Sequence, residues 1–343
     1  VKLLFEDNGK ALRAWEAALR RPYCQVPEAD TPEDMLFPAL EGPRELALFG
    51  HDRAIYLAQR GETAAALDEA LRLLEFGHKV EGAKGALIHF LVGVAIEGMG
   101  LDAVQHVLKQ EDIDTAALTA CLEKLNNGRD SDQALKDTYR VEYSVSFAMM
   151  EAGINKGISS SSSTPALTAA GKMGLRSFFY KPNRTRRIMA KAARIGIDNF
   201  GRPYSDADYS GWPSIIASPG STSKLKLIAS GNSIGAMLIA MLTPAYDRIQ
   251  GTECLIEFRF SAVLALTALR CYRDAHGRLP ERLEELVPQY LDEVPRDPFD
   301  GKPLRYSKDK KIVYSVGTDL TDSGGSTGDF GSRQADPTVH IEF

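Results

Sequence analysis

The side chains best suited to chemistry gather near the C-terminus. Between Thr318 and Asp336 the chain sets Asp319, Asp322, Asp329 and Asp336 among glycines and serines. Hard cations such as Ca²⁺ take about six to eight oxygens from carboxylates, carbonyls and hydroxyls, and glycine lets backbone carbonyls turn inward. These four aspartates are therefore the candidate Ca²⁺ ligands. The run Asp319-Leu320-Thr321-Asp322-Ser323-Gly324 is similar to the opening of an EF-hand loop. Thr321 holds its third position, however, and Phe330 replaces the bidentate glutamate of its twelfth, so no EF-hand is expected.

A second feature is basic. Lys172, Arg176, Lys181, Arg184, Arg186, Arg187, Lys191 and Arg194 follow one another with no acidic residue between them. On a helix Arg184, Arg187, Lys191 and Arg194 form one stripe. They are candidate contacts for an anionic lipid surface or an acidic partner. The alternative is a solvated face, or one paired with the acidic residues of Asp68 to Glu75.

The remaining chemistry is sparse. The six histidines are scattered. Glu75 and His78 have the Glu-x-x-His spacing of carboxylate-bridged metal bundles, but no second such pair exists. His89, inside an apolar run, reads as a core histidine. Gly231-Asn232-Ser233-Ile234-Gly235 has Gly-x-Ser-x-Gly spacing, but it falls in a predicted helical stretch and not after a predicted strand, so Ser233 is not expected to be a nucleophile. No phosphate loop, dinucleotide fingerprint or His-Glu-x-x-His occurs. Of the four cysteines, Cys24, Cys121, Cys254 and Cys271, none forms a CxxC pair. Cys254 and Cys271 share one predicted helix at about 25 Å and cannot bridge each other. Bridges to Cys24 or Cys121 stay open, as does the reading of four buried thiols.

The elements that must position these residues are mainly helical. With 44% hydrophobic and 25% charged residues the chain is that of a globular protein, and its net charge of −5 speaks against bulk nucleic-acid binding. Its start at Val1 points to a trimmed product, expected to have been anchored through an N-terminal segment absent from this chain. Prolines recur through 22–43, giving an extended connector. Helices are predicted over much of 1–250, with Arg53 to Phe76 resembling one tetratricopeptide-type pair and a faint echo at Gly98 to Val104. The Ser-rich stretch 159–165 reads as a loop, and Phe200 to Ser223 as a long irregular one. Leu225 to Leu242, interrupted by Ser230 to Ser233, reads as a buried helix and not a membrane span. A last helix, Thr252 to Ala275, carries the apolar stripe Leu255, Phe258, Ala262, Ala265, Leu269 and Tyr272, with Thr252 as its cap. Beyond it, Leu304 to Ser307 and Ile312 to Val316 predict a β-hairpin, with a third strand in Val339 to Phe343.

The order of that last quarter carries a resemblance. Leu279-Pro280, then Val294-Pro295-Arg296-Asp297-Pro298-Phe299, then Tyr314-Ser315-Val316-Gly317-Thr318-Asp319 resembles the globular domain of the major pseudopilins of type II secretion systems over about 258–343. The resemblance implies an assembly module with a Ca²⁺-binding loop after the hairpin. The chain matches that loop's pattern at Gly317, Asp319, Gly324, Gly325 and a later aspartate. It differs at Leu320, where the family often has glycine, and in loop spacing. It also differs in having a long helical region in place of the family's anchor helix, and the whole layout is similar to bacterial envelope proteins.

The sequence thus predicts a mainly α, α+β protein: a helical bundle over 1–250 and a pseudopilin-like helix-plus-antiparallel-sheet domain over 251–343, sharing the last long helix. The expected function is a non-catalytic, extracytoplasmic module that binds a protein partner in the cell envelope, with Ca²⁺ stiffening the C-terminal loop. The alternatives are a hydrolase with a pocket near 172–223 and a peripheral protein of anionic membranes.

Overall fold

The computed structural model describes residues 9–25, 40–129, 131–159, 180–212, 231–242, 246–325 and 336–343. Its helices are α1 (Gly9–Leu19), α2 (Glu41–Gln59), α3 (Thr63–Glu81), α4 (Leu87–Leu108), α5 (Thr115–Asn126), α6 (Asp132–Ser159), α7 (Pro182–Asn199), α8 (Ser233–Leu242) and α9 (Tyr246–His276). Three short strands follow: β1 (Arg305–Ser307), β2 (Ile312–Tyr314) and β3 (Thr338–His340). They form one antiparallel sheet in the order β1-β2-β3, with Tyr306 opposite Val313 and Val313 opposite Val339. This is the mainly helical α+β architecture expected, with the predicted hairpin and third strand in place. Most of the Pro-rich connector and all but the first residue of the Ser-rich stretch lie outside the described residues.

The helical layer is built on the antiparallel pair α3 and α4. At Gly77 an added Cβ would stand 2.7 Å from the backbone nitrogen of Glu97; at Gly93 it would stand 2.6 Å from that of Glu81. The two glycines let the backbones touch, and Gly77-x-x-x-Glu81 runs against Gly93-x-x-x-Glu97 in near-symmetric register. Gly98 to Val104, the faint repeat echo, lies inside the unbroken helix α4. That helix has the length and apolar composition of a membrane span, yet it packs against α2, α3, α6 and α9 as a core helix.

The chain's longest described helix, α9, starts at Tyr246, so Thr252 is an interior residue and not the cap. The expected boundary between 250 and 251 falls within it. Phe258, Ala262, Ala265 and Leu269 are fully buried. They belong to one continuous core that also takes Leu101 and Val104 of α4, Leu118 and Leu125 of α5, and Phe299, Val313 and Val339 beside or in the sheet. Arg270, buried on the same helix, donates to the carbonyls of Leu108, Gln110 and Glu111. It thereby satisfies groups that the end of α4 leaves without helical partners. Leu283 and Leu286 point inward from a short 3₁₀ turn, as their spacing suggests.

Candidate functional site

The densest cluster of charge lies where α3, α4 and α9 meet the 127–131 link. Arg129 is almost completely buried and forks into four glutamates. Its Nε donates to Glu97 Oε2 at 2.7 Å, and its Nη2 donates to both oxygens of Glu81 at 3.0 and 3.2 Å. Its Nη1 donates to Glu253 at 2.5 Å, to Glu257 at 3.3 Å and to Ser131 at 2.7 Å. Ser131 Oγ donates onward to Glu253 at 2.6 Å, and His78 Nδ1 lies 2.8 Å from Glu97 Oε1. The glycine contact between α3 and α4 is what brings Glu81 and Glu97 within reach of one guanidinium.

Electrostatics divide the glutamates. Burial, then the neighbouring charge of Glu97, pushes Glu81 up to about 9 against the pull of Arg129. Burial would also raise Glu97, but the hydrogen bond from His78 and the charge of Arg129 outweigh it and hold Glu97 low. Burial alone would lower Arg129; Glu253, Glu97 and Glu81 overrule it and keep the guanidinium charged.

His78, Glu81 and Glu97 are the one set of three or more metal-ligating side chains, among the described residues, whose ligand atoms lie within 4.8 Å of one another. Arg129 already pairs with Glu81 and Glu97, so both carboxylates of that set are engaged in an ion-pair network, in which Glu253 Oε2 is buried without a hydrogen-bond partner among the described residues. Beside it opens a cavity of about 270 Å³ walled by Leu71, Leu74, Leu125 and Phe260. Glu75, the other half of the Glu-x-x-His pair, instead bridges Lys79 at 2.7 Å.

The C-terminal acidic loop is only partly described. Asp336 is 2% exposed; its Oδ2 accepts from Ser323 N and Gly325 N, while its Oδ1 is buried with no hydrogen-bond partner among the described residues. Asp322 accepts from Arg305 Nε at 3.0 Å and from Gly324 N. Asp319 is exposed and accepts from Thr321 N. Lys310 Nζ donates to the Gly324 carbonyl. Asp329 lies outside the described residues. Leu320 holds a φ of 58°, the left-handed region that favours glycine.

Beside that loop sits a knot that the sequence reading missed. Asp297, fully buried, accepts from Phe299 N, Ser315 Oγ, Val316 N and Arg305 Nη1. Arg305 also reaches Asp300 at 2.6 Å. Asp297 thus ties the Pro298–Phe299 turn to the strand end, and Arg305 ties both to the acidic loop.

Arg184, Arg187, Lys191 and Arg194 all stand on the exposed face of α7, as their spacing predicts. Arg187, Lys191 and Arg194 make no ion pair among the described residues. Arg186 turns aside and stacks on Phe147 at 4.1 Å. Helix α7 packs on α6 and α8, and Lys172 and Arg176 lie outside the described residues.

Ser233 opens α8, and the preceding Asn232 accepts from Lys181 N and donates to Thr185. The described part of the Phe200–Ser223 loop docks on the C-terminal unit, with Tyr204 N and Ser205 N donating to the carbonyls of Pro298 and Phe299. Its Trp212 packs on Tyr209. His89 is buried, and burial lowers its basicity. All four cysteines are free thiols; burial pushes Cys121 and Cys254 up to about 12. The chain matches no protein-family model, no curated protein and no solved structure.

Proposed function

We propose that the protein is a non-catalytic assembly module of the cell envelope, which recognises an acidic protein partner through the basic face of α7. The observation that carries this reading is the contrast between its interior and surface charges. Arg129 pairs with Glu81, Glu97 and Glu253 inside the bundle. Arg187, Lys191 and Arg194 face outward and make no ion pair among the described residues. A row of exposed cations steers and orients an acidic surface more than it stabilises its own fold.

The second component of the reading is Ca²⁺ in the C-terminal loop. Its support is the buried Oδ1 of Asp336, which has no hydrogen-bond partner among the described residues, and the left-handed backbone at Leu320, where the pseudopilins it resembles often have glycine. Asp336 would hold the ion, with Asp319, Asp322 and Asp329 as the further carboxylates of the same loop. Bound there, Ca²⁺ would replace missing hydrogen bonds with oxygen coordination and stiffen the approach to β3.

The test uses the whole chain and a fluorescent polyglutamate peptide. Binding should fall as salt rises past about 0.15 M, where charges are screened beyond about 8 Å. It should be lost in the triple variant Arg187→Glu, Lys191→Glu, Arg194→Glu. Equal binding by wild type and variant would refute the assignment. Binding to vesicles containing phosphatidylglycerol but not to the peptide would replace the protein partner with an anionic membrane.

A further inference from the structure

A groove crosses α4 between α2 and α9, away from α7 and from the acidic loop. Helices α2 and α9 each pack on α4, and the space left between their walls measures about 430 Å³. That is within the range of about 300–1,000 Å³ usual for small-molecule sites. Its lining is apolar along most of its length, with Val94 and Met99 on the floor and Leu255 and Ile256 on the α9 wall.

One end is cationic. Arg259 lies over Gly98, where an added Cβ would stand 3.3 Å from its Nη1. Arg259 is half-buried, yet it makes no hydrogen bond or ion pair among the described residues. Asp102 also lines the groove and its carboxylate feels the charge of Arg259, but its hydrogen bond runs to His51 at 3.0 Å. A guanidinium offers a planar fork that fits a carboxylate in bidentate fashion. Beside an apolar trough, such a fork selects a molecule with one anionic head and one hydrocarbon body.

We propose that this groove binds a single-chain amphiphile carrying one carboxylate, its head on Arg259 and its chain along Val94, Met99, Leu255 and Ile256. The inference is independent of the basic face on α7, which shares no residue with the groove.

The test is calorimetric titration of the full chain with hexanoate, octanoate and decanoate below their micellar concentrations. Decanol and decyltrimethylammonium serve as uncharged and cationic controls. Saturable one-to-one binding is expected for the carboxylates, tightening by up to about fourfold per added methylene. Decanoate should exceed decanol by about tenfold or more, the fold-change of one charge-assisted contact. Arg259→Gln should erase that preference while leaving decanol unchanged. Arg259 makes no hydrogen bond or ion pair among the described residues and acts on Asp102 only through its charge, so the variant is expected to fold, and its thermal midpoint checks this. Equal affinity for decanoate and decanol, preference for decyltrimethylammonium, non-saturable binding, or an unchanged preference in Arg259→Gln would each overturn the proposal.

Discussion

Glu81 and Glu97 are one residue type in one network, shifted in opposite directions. Burial and the charge of Glu97 place Glu81 at about 9, against 4.5 for an ordinary glutamate. Between those values the folded state keeps a proton that the unfolded chain has lost. Stability from this group is therefore full below about pH 4.5 and declines as pH rises towards 9, by at most about 1.4 kcal/mol per pH unit. Glu97, held low by His78 and Arg129 against its burial, acts in the other direction and loses its contribution as pH falls below its ordinary value. Glu81→Gln should shrink the alkaline decline, to which Glu257 and Glu69, also raised by burial, contribute the rest, and leave the acid limb intact. Urea denaturation from pH 4 to 9 checks this, and parallel curves for wild type and variant would refute the assignment. Glu97 was visible in the sequence as an interruption of one of the chain's most apolar helices, though it was not singled out there. Its partners were not, because Arg129 reaches it from a separate link and only packing shows that. The spacing of the basic residues on α7 was legible because a helical stripe is a local property. Asp297 was not, because its four donors come from separate segments.

At the level of elements, the network depends on two glycines. An alanine at Gly93 would drive its Cβ into the backbone of Glu81 and the carbonyl of Gly77. Backbone cannot yield as a flexible side chain does, so Gly93→Ala should cost about 1–3 kcal/mol or more and loosen the Arg129 fork. Gly42→Ala, where nothing stands within 4 Å, is the control and should change stability by less than about 0.5 kcal/mol. Chemical denaturation of both variants separates the cases; equal effects would show that α3 and α4 can part freely. The sequence located most of these helices because their apolar periodicity is strong, and it located the hairpin because Lys308 to Lys311 separates two β-rich runs. It placed the start of α9 too late. Thr252 has the chemistry of a cap, but the helix continues upstream of it, so local capping preference gave way to a longer packed helix.

Across the whole molecule, the helical layer and the small sheet share one core along α9. A fragment ending at 250 would lose Phe258, Ala262, Leu266 and Leu269 from the interior of α4 and α5. It should show no cooperative thermal transition, whereas a stable, folded 1–250 fragment would disprove the shared core. The order of elements and the shared helix could be read from the chain, since both follow from periodicity. The groove over α4 could not, because it is made by three helices distant in sequence. The most direct test of the proposed envelope module is the one ligand it names outright. Thermal unfolding of metal-stripped protein should be compared with and without millimolar Ca²⁺, with Mg²⁺ as the control. A Ca²⁺-specific rise in Tm, abolished in Asp336→Asn, is the predicted result. An unchanged Tm in Ca²⁺, or an equal rise with Mg²⁺ or in Asp336→Asn, would contradict it.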